Sequence, residues 1–194
     1  MVSPLCHLDV YSRYIVGWSV AQHENADIAI ALIEQATEQQ RITPKILTLH
    51  ADRGAPMRAK LLAELLVDLG VTKTHSRPYT SSDNPYSEAG FKTLKYRSAF
   101  PARFNDIEHA REHCRAFVNW YHHEHHHSGI GLLTPDAVHH GHAAGLHAAR
   151  GTVLNAAYAR HPERFVRQPP IPPAPPVAVW INKPADTQEA LAHK

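Results

Sequence analysis

Two acidic residues and a pair of lysines are the side chains in this sequence most suited to chemistry. Asp52 lies just past residues 45–50, a short apolar run that predicts a strand buried in a sheet. Sites in α/β proteins usually form at the carboxyl ends of such strands. Glu88 falls early in a predicted helix, where helical periodicity puts Lys92 and Lys95 on the same face. This set could bind a divalent metal that holds a phosphate, with the lysines on neighbouring phosphates.

A plainer interpretation of the same residues needs no metal. Asp52 can cap a turn that contains Arg53 and Gly54, and Glu88 with Lys92 can form an ordinary surface pair one helical turn apart. Acidic residues are common in loops and on helices, so the spacing alone does not decide between the two.

The elements that must position these residues follow from the hydrophobic pattern, which alternates between strand and helix periods. Gly70 is expected to cap the second helix, and Asp83 or Asn84 to cap the third. The order of strands and helices predicts a mixed α/β domain. In chain order, strands are predicted over residues 5–10, 14–20, 45–50 and 71–75, and helices over 25–40, 57–69, from Pro85 onwards and over 106–123. Thr43 and Pro44 are expected to stop the first of these helices.

Each predicted helix has one apolar stripe that is expected to face the core. Beyond these helices, short helices outside the main core are expected, followed by "QPPIPPAPP", a polyproline linker or extended strap. The core-facing residues are Ile28, Leu32, Ile33 and Ala36; Leu62, Leu65, Leu66 and Leu69; Phe91 and Leu94; and Ile107, Ala110, Cys114, Phe117, Val118 and Tyr121.

Bulk composition narrows the class of protein. The 194 residues are 43% hydrophobic and 20% charged, as in a soluble globular protein with one domain and a tail. No run of residues is long and apolar enough to cross a membrane, and the first residues do not form a signal peptide. Two cysteines give neither a disulfide framework nor zinc spacing, so a reducing cytoplasm is expected.

Two further clusters suggest ligands. Lys92, Lys95 and Arg97 belong to a basic stretch interleaved with Tyr96 and ending near residue 103, as expected of a nucleic-acid surface, although a solvated helix face is the plainer alternative. "HHEHHH", at residues 122–127, places three histidines at helical spacing, which suits a metal, but a structural or DNA-proximal role is favoured.

Five blocks stand out when the chain is followed from end to end: "LDVYSRYIVGWSV", "LHADRGAP", "SRPYTSSDNPYSEAGFKTLKYR", "FVNWYHHEHHHSGIGLLTP" and "HPERF". In this order they resemble consecutive blocks of bacterial insertion-sequence transposases with a retroviral-integrase (DDE) catalytic core. The resemblance covers about residues 8–165, most of the chain. It implies a ribonuclease-H-like fold, a mixed sheet flanked by helices.

The resemblance also implies a DDE site, in which three carboxylates hold two divalent ions, Mg²⁺ or Mn²⁺. One ion would activate water or a DNA 3′-hydroxyl, and the other would stabilise the leaving oxygen of a phosphoryl transfer. Asp52 matches the second aspartate of the family, Glu88 its glutamate, and Lys95 a basic position that contacts the DNA end in similar integrases. His50 and Asn84 match motif residues close to the site.

One part of the family pattern has no counterpart in this sequence. The first catalytic aspartate of the family lies on a central strand about twenty residues before "LDVYSR", so the chain is expected to be an N-terminally truncated core without that strand. Asp9 is not expected to replace that aspartate, because pairing with Arg13 across a turn suits its position better. The chain alone is therefore expected to be nearly inactive.

These expectations combine into one functional hypothesis and one alternative. Residues 1–125 are expected to form the incomplete integrase-type core, 126–167 a helical extension and 168–194 a proline-rich tail. The expected function is metal-dependent DNA cleavage and strand transfer in transposition, on transposon ends and target DNA, within a homo-oligomer. The alternative is an inactive transposase remnant that acts only as a DNA-binding or oligomerising module.

Overall fold

The order of strands and helices agrees with the predicted mixed α/β pattern. The structure is a computed structural model and describes residues 3–23, 25–42, 46–52, 54, 57, 59–77, 83–166 and 168–181. Within these residues the strands are β1 (Ser3–Leu8), β2 (Ile15–Ala21), β3 (Thr48–Ala51) and β4 (Thr72–His75). The α-helices are α1 (Ala26–Gln39), α2 (Lys60–Asp68), α3 (Pro85–Lys95), α4 (Ile107–His123), α5 (Pro135–His139) and α6 (Ala143–Arg160).

The first two strands form the antiparallel hairpin that their β-branched and aromatic residues predict. The register pairs Cys6 with Trp18 and Leu8 with Ile15, with one irregularity just before Leu8. Ile15 and Val20 of β2 are buried, so β2 contributes to the core.

Asp9 organises the turn of this hairpin. Its carboxylate accepts the backbone N–H of Tyr11 at 3.1 Å and both the N–H and the hydroxyl of Ser12. The predicted ion pair with Arg13 is wrong, because the Arg13 guanidinium donates to a backbone carbonyl of the turn and stacks over the Tyr86 ring at 3.9 Å. The short side chain of Asp9 satisfies local N–H groups instead, as aspartates in turns commonly do.

Helices α1 and α2 pack against each other through their predicted apolar faces. The Asn25 side chain caps α1 by accepting a backbone N–H of its first turn. Ala29 and Ile33 of α1 are buried with Leu62 and Leu66 of α2 in one apolar cluster. The side chains at the margin of this cluster, including Leu65 and Leu69, are only partly buried.

The bounds of several elements differ from the sequence-based prediction, and β1 spans Ser3–Leu8 rather than residues 5–10. Helix α2 begins at Lys60, three residues later than predicted, and ends at Asp68, with Leu69 as its C-cap and Gly70 just beyond at φ +65°. A glycine tolerates this left-handed conformation, so the predicted helix stop is confirmed. Strand β3 begins at Thr48 rather than at residue 45. The predicted helix stop at residues 43–44 lies outside the described residues.

Helix α4 packs along β2 with the predicted stripe. Asp106 caps it by accepting the N–H of His109 at 2.7 Å. Of the predicted core positions, Ile107 and Val118 are half-buried at the edges of the apolar clusters. The fully packed positions are Ala110, Cys114, Phe117 and Tyr121.

The proline-rich segment lies as a strap against the helical region that follows α4. His147 of α6 hydrogen-bonds through Nε2 to the Pro172 carbonyl at 3.1 Å. At Gly131, which has φ +70°, an added Cβ would lie 2.7 Å from the backbone of Ala174. Further along the strap, the Trp180 carbonyl accepts the Tyr86 hydroxyl at 3.1 Å. The strap therefore reaches from α6 back to α3.

The strands form two small sheets. β1 pairs with β2, and β3 pairs with β4 in parallel, with Thr48 opposite Thr72 and Ala51 opposite His75. Among the residues that the structure describes, no ladder joins the two sheets. No α-helix of the described residues is long and apolar enough to cross a membrane.

Candidate active site

Asp52 lies directly beyond the carboxyl end of β3, where the sequence predicted it. Its side chain is exposed, and Oδ1 accepts the N–H of Gly54 at 3.0 Å. Its backbone carbonyl hydrogen-bonds to Nδ1 of His75 at 3.1 Å, which ties the end of β3 to the end of β4. The turn predicted with Gly54 is therefore present, while Arg53 lies outside the described residues.

His50 links the end of β3 to the segment that leads into α3. Its Nδ1 lies 2.9 Å from the Thr74 hydroxyl, and its Nε2 lies 2.9 Å from the Asp83 carbonyl oxygen. These two contacts fix the start of α3 relative to Asp52. The sequence placed His50 near the site only through the family resemblance, and the structure gives it a positioning contact.

Asp83 is the buried anchor of the same segment. Its side chain is 1% exposed and accepts Nε of Arg77 at 2.9 Å, Nη2 at 2.8 Å and the Arg77 backbone N–H at 2.9 Å. The sequence suggested only that Asp83 or Asn84 would cap α3, and Asn84 occupies the cap position without a side-chain cap bond. The hydrophobic pattern of the sequence could not predict the Arg77–Asp83 ion pair, because neither residue lies in a periodic helix or strand.

Glu88 lies in the first turn of α3 and is exposed. Its backbone N–H donates to the Asn84 carbonyl at 3.3 Å, so it lies one turn from the beginning of the helix. Asn84 and Asp52 line the same cleft. In the described part of the chain, the Glu88 carboxylate makes no hydrogen bond or ion pair, and it is not among the residues lining that cleft.

The chemistry of Asp52 and Glu88 fits the divalent ions that the family resemblance implies. Both are exposed carboxylates with oxygen atoms available to a hard cation such as Mg²⁺. However, no group of three or more His, Cys, Asp or Glu side chains among the described residues could hold a metal ion. The two carboxylates are suitable ligands and do not by themselves form a complete site.

The predicted basic residues follow Glu88 along α3 and just beyond it. Lys92 and Lys95 are exposed and lie in the last turn of the helix. Arg97 lies after the helix end and stacks its guanidinium over the Trp120 ring at 4.0 Å. Arg97 therefore also packs two elements together, a role that the sequence did not predict.

The predicted apolar face of α3 is less buried than expected. Phe91 is 37% exposed, and no residue of α3 is fully buried. Phe91 and Leu94 still contribute to a small apolar gap between α3, the hairpin and α4. Near the end of the helix, Leu94 packs against the apolar cluster of Ile15, Phe117 and Tyr121.

The histidines at the end of α4 have structural contacts. His122 is 7% exposed, accepts the Ile15 N–H at 3.1 Å through Nε2 and stacks on Tyr14 with ring centroids 3.7 Å apart. His125 stacks on Tyr121 at 5.2 Å. Burial lowers the pKa of His122 to about 4, so the ring is neutral at pH 7. The structural role favoured from the sequence is thus confirmed for His122.

A second histidine joins this stack and binds the hairpin turn. His139 also stacks on Tyr14, with ring centroids 4.4 Å apart. Its Nδ1 lies 3.3 Å from Asp9 Oδ2 and 3.1 Å from the Ser12 hydroxyl, and its Nε2 lies 2.7 Å from Gln40 Oε1. Burial raises the pKa of Asp9, but hydrogen bonds from His139, Ser12 and the turn outweigh it and lower the value to about 2. Asp9 is therefore committed to local partners.

Comparison with family models matches the chain to the integrase core domain twice, over residues 4–81 and over residues 69–135. The transposase for insertion sequence element IS904 of Lactococcus lactis is 26% identical over 130 residues, which are 66% of this chain and 51% of that protein. A putative transposase for IS986/IS6110 of Mycobacterium tuberculosis is 27% identical over 132 residues, 66% of this chain and 48% of that protein. The chain spans about half the length of the curated relatives it matches.

Solved structures agree on the fold. The catalytic core domain of BIV integrase superposes with a TM-score of 0.54 at 22% identity, covering 71% of this chain and 85% of that one. A simian T-cell lymphotropic virus intasome chain gives a TM-score of 0.52 at 14% identity, covering 93% of this chain and 58% of that one. The fold is that of retroviral integrase cores, a ribonuclease-H-like α/β fold, as predicted. With both integrase core models matched along residues 4–135, the chain belongs to the insertion-sequence transposases that carry an integrase-type core.

Proposed function

We propose that this chain contributes to DNA transposition by metal-dependent phosphoryl transfer, with Asp52 and Glu88 as carboxylate ligands of a DDE-type site. The observation that carries the proposal is the link between the ends of β3 and the start of α3. His50 bonds to the Asp83 carbonyl, and Asp52 and Asn84 line one cleft, with Glu88 one turn further along α3. Two exposed carboxylates are thereby held on neighbouring elements.

The residues of this chain would divide the work by their chemistry. A divalent ion bound there, Mg²⁺ or Mn²⁺, would activate the attacking oxygen and stabilise the leaving oxygen of the transferred phosphate. Asp52 and Glu88 would hold the cation, and His50 would keep the ends of β3 and α3 in place. Lys92 and Lys95, exposed on the helix that carries Glu88, would neutralise phosphates of the bound DNA.

The proposed substrate is the DNA of transposon ends and target, and the proposed active assembly is a homo-oligomer. Arg97 would add positive charge at the end of α3 while it packs on Trp120. The membership of the chain among transposases supports the DNA substrate, since such proteins act on DNA.

Metal binding tests the ligands directly. Titration of the full chain with Mn²⁺, followed by electron paramagnetic resonance, is expected to show binding that weakens in Asp52→Asn and in Glu88→Gln. Asp68→Asn on α2 and Glu112→Gln on α4 are matched controls, because both are exposed carboxylates away from this region. Equal Mn²⁺ affinity in all four variants would contradict the assigned ligands.

Activity tests the reaction itself. In a strand-transfer assay with transposon-end DNA, Asp52→Asn and Glu88→Gln in an intact transposase carrying this core are expected to abolish product while end binding persists. Asn and Gln match Asp and Glu in size, so the substitutions remove the charge alone. Persistent end binding would exclude lost DNA binding as the cause of the lost product. Retained strand transfer in both variants would rule the proposal out.

The alternative is a non-catalytic DNA-binding or oligomerising module. The observation that favours it is that no three potential metal ligands come together among the described residues. This alternative predicts no measurable Mn²⁺ binding at the two carboxylates and unchanged DNA affinity on adding Mg²⁺. The Mn²⁺ titration therefore separates the two functions.

A further inference from the structure

The strap, residues 168–181, is anchored firmly along its first half. Pro172 is buried, and its carbonyl hydrogen-bonds to Nε2 of His147 at 3.1 Å. An added Cβ on Gly131 would lie 2.7 Å from the backbone of Ala174, so the strap and the segment after α4 are in direct backbone contact. The first half of the strap is therefore fixed against α6 and the turn that precedes α5.

Residues 179–181, the strap tip, are held much more lightly. Val177, which precedes the tip, is fully exposed, so the chain leaves the protein surface between the anchored half and the tip. Two of the three tip residues are half-buried, whereas Trp180 is 54% exposed. The Trp180 carbonyl accepts the Tyr86 hydroxyl at 3.1 Å. This hydrogen bond ties the tip to α3.

The strap tip lies at the candidate active site. All three tip residues line the cleft that Asp52 and Asn84 also line. Tyr86 and Ser87 of α3 line this cleft as well, and Glu88 follows them directly in the first turn of the helix. The tip therefore contacts the turn that carries one proposed metal ligand and shares a cleft with the other.

The composition of the strap explains how so few contacts can hold its tip. Residues 168–176 contain six prolines, so this half favours an extended conformation and loses little conformational entropy when the tip docks. Because the tip belongs to the same chain as α3, its effective concentration at the cleft is high. Residues 168–181 carry no charged side chain, so the tip covers the cleft by its volume and does not imitate a phosphate.

We propose that the strap tip is an autoinhibitory lid, which lies on the first turn of α3 and has to leave before DNA reaches Asp52 and Glu88. This inference rests on the proposed function, because it takes these two carboxylates as the place where a DNA phosphate reacts. The reacting phosphate belongs to a strand several nucleotides long, which needs a path over the turn that the tip covers. A hydrated metal ion is far smaller and does not need that path.

Proteolysis of the full chain without metal or DNA tests how the tip is held. Chymotrypsin cleaves after aromatic residues, and cleavage after Trp180 requires the tip to leave the surface, so its rate reports the open fraction. Tyr86→Phe removes the hydroxyl that bonds to the Trp180 carbonyl but keeps the ring that stacks with Arg13. This variant is expected to be cut after Trp180 about threefold faster or more.

Tyr158→Phe on α6 is the matched control for this experiment, because it removes a tyrosine hydroxyl away from the tip. The control is expected to be cut after Trp180 as fast as the parent chain. An equal rate in Tyr86→Phe and the parent would overturn the proposal. A parent rate that depends on protein concentration would also overturn it, because the tip would then lie on a second copy of the chain.

DNA affinity tests the function of the lid. The probe is a short fluorescein-labelled DNA duplex of mixed sequence, whose anisotropy is followed as the full chain is added at constant salt. A site that is open only part of the time shows an affinity reduced by its open fraction. Tyr86→Phe and Trp180→Ala are each expected to bind the probe about threefold more tightly or more, with little change in Tm. Ile171→Ala, at an exposed strap position outside the cleft, is the control and is expected to bind as the parent does.

The outcomes separate a lid from a structural brace, and this inference from the proposed function. Unchanged DNA affinity in both tip variants, or weaker DNA binding with a lower Tm, would overturn the lid, the latter because the tip would then support α3. Suppose instead that Asp52→Asn and Glu88→Gln leave Mn²⁺ affinity unchanged while both tip variants bind DNA more tightly. The proposed metal site would then fail, and the lid would stand as the cover of a DNA surface on α3.

Discussion

The Arg77 guanidinium and the buried Asp83 carboxylate form a two-bond ion pair, with Nε–Oδ2 at 2.9 Å and Nη2–Oδ1 at 2.8 Å. Arg77 is largely exposed, whereas Asp83 is buried, and the pair joins the second residue after β4 to the second residue before α3. The same segment receives the His50 bond at the Asp83 carbonyl. This ion pair thus helps to fix the position of the start of α3, and with it the position of Glu88.

Removal of this pair is expected to destabilise the chain. Asp83→Ala leaves the Arg77 backbone N–H without its acceptor and should cost about 1–3 kcal/mol, measured by urea unfolding. Arg77→Lys keeps the charge but loses the two-bond geometry, so a smaller loss is expected. An unchanged urea midpoint in Asp83→Ala would contradict the anchoring role.

Stability is expected to fall as the pH drops from about 6.5 to about 4. Burial lowers the pKa of both His122 and His7 to about 4, below the ordinary value of 6.5. The unfolded chain therefore binds more protons than the folded one in this window, and acid favours unfolding. Urea unfolding between pH 4 and pH 7 measures the slope.

His122→Gln isolates the contribution of one ring. Glutamine can accept the Ile15 N–H but does not titrate, so the slope in this window should decrease by about one bound proton. The variant should also be less stable at pH 7, because it loses the stack on Tyr14. An unchanged slope would show that His122 does not titrate as its burial requires.

The strap is expected to detach when Gly131 acquires a side chain. In Gly131→Ala the new Cβ would lie 2.7 Å from the Ala174 backbone, in addition to the strain at φ +70°. Gly141 has φ +78° and no heavy atom within 4 Å of an added Cβ, so Gly141→Ala carries the strain alone. Limited proteolysis should cut the strap faster in Gly131→Ala than in Gly141→Ala. Equal rates would show that the strap does not depend on this contact.

DNA affinity is expected to depend on the lysines of α3. Lys92→Ala and Lys95→Ala should each weaken binding and reduce the salt dependence by about one phosphate contact. Arg97→Ala should in addition lower thermal stability, because the guanidinium packs on Trp120 at 4.0 Å. Lys60→Ala is the control, since Lys60 lies on α2 rather than α3 and pairs with Glu64 of the same helix. A matching loss in the control would indicate a non-specific charge effect.

The sequence by itself determined the local elements and the family. Periodicity located α1 and α4, because apolar stripes repeat within one helix, and the structure shows that Asn25 and Asp106 cap them through neighbouring N–H groups. The five blocks predicted the integrase-type core that the comparisons then matched. Asp52 was correctly placed at the end of a strand for the same local reason.

Only the tertiary structure decided which distant groups meet. Asp9 binds Ser12 and His139 instead of Arg13, and His50 reaches the Asp83 carbonyl, because side chains far apart in the chain compete for each polar group. Such competition leaves no periodic signal in the sequence.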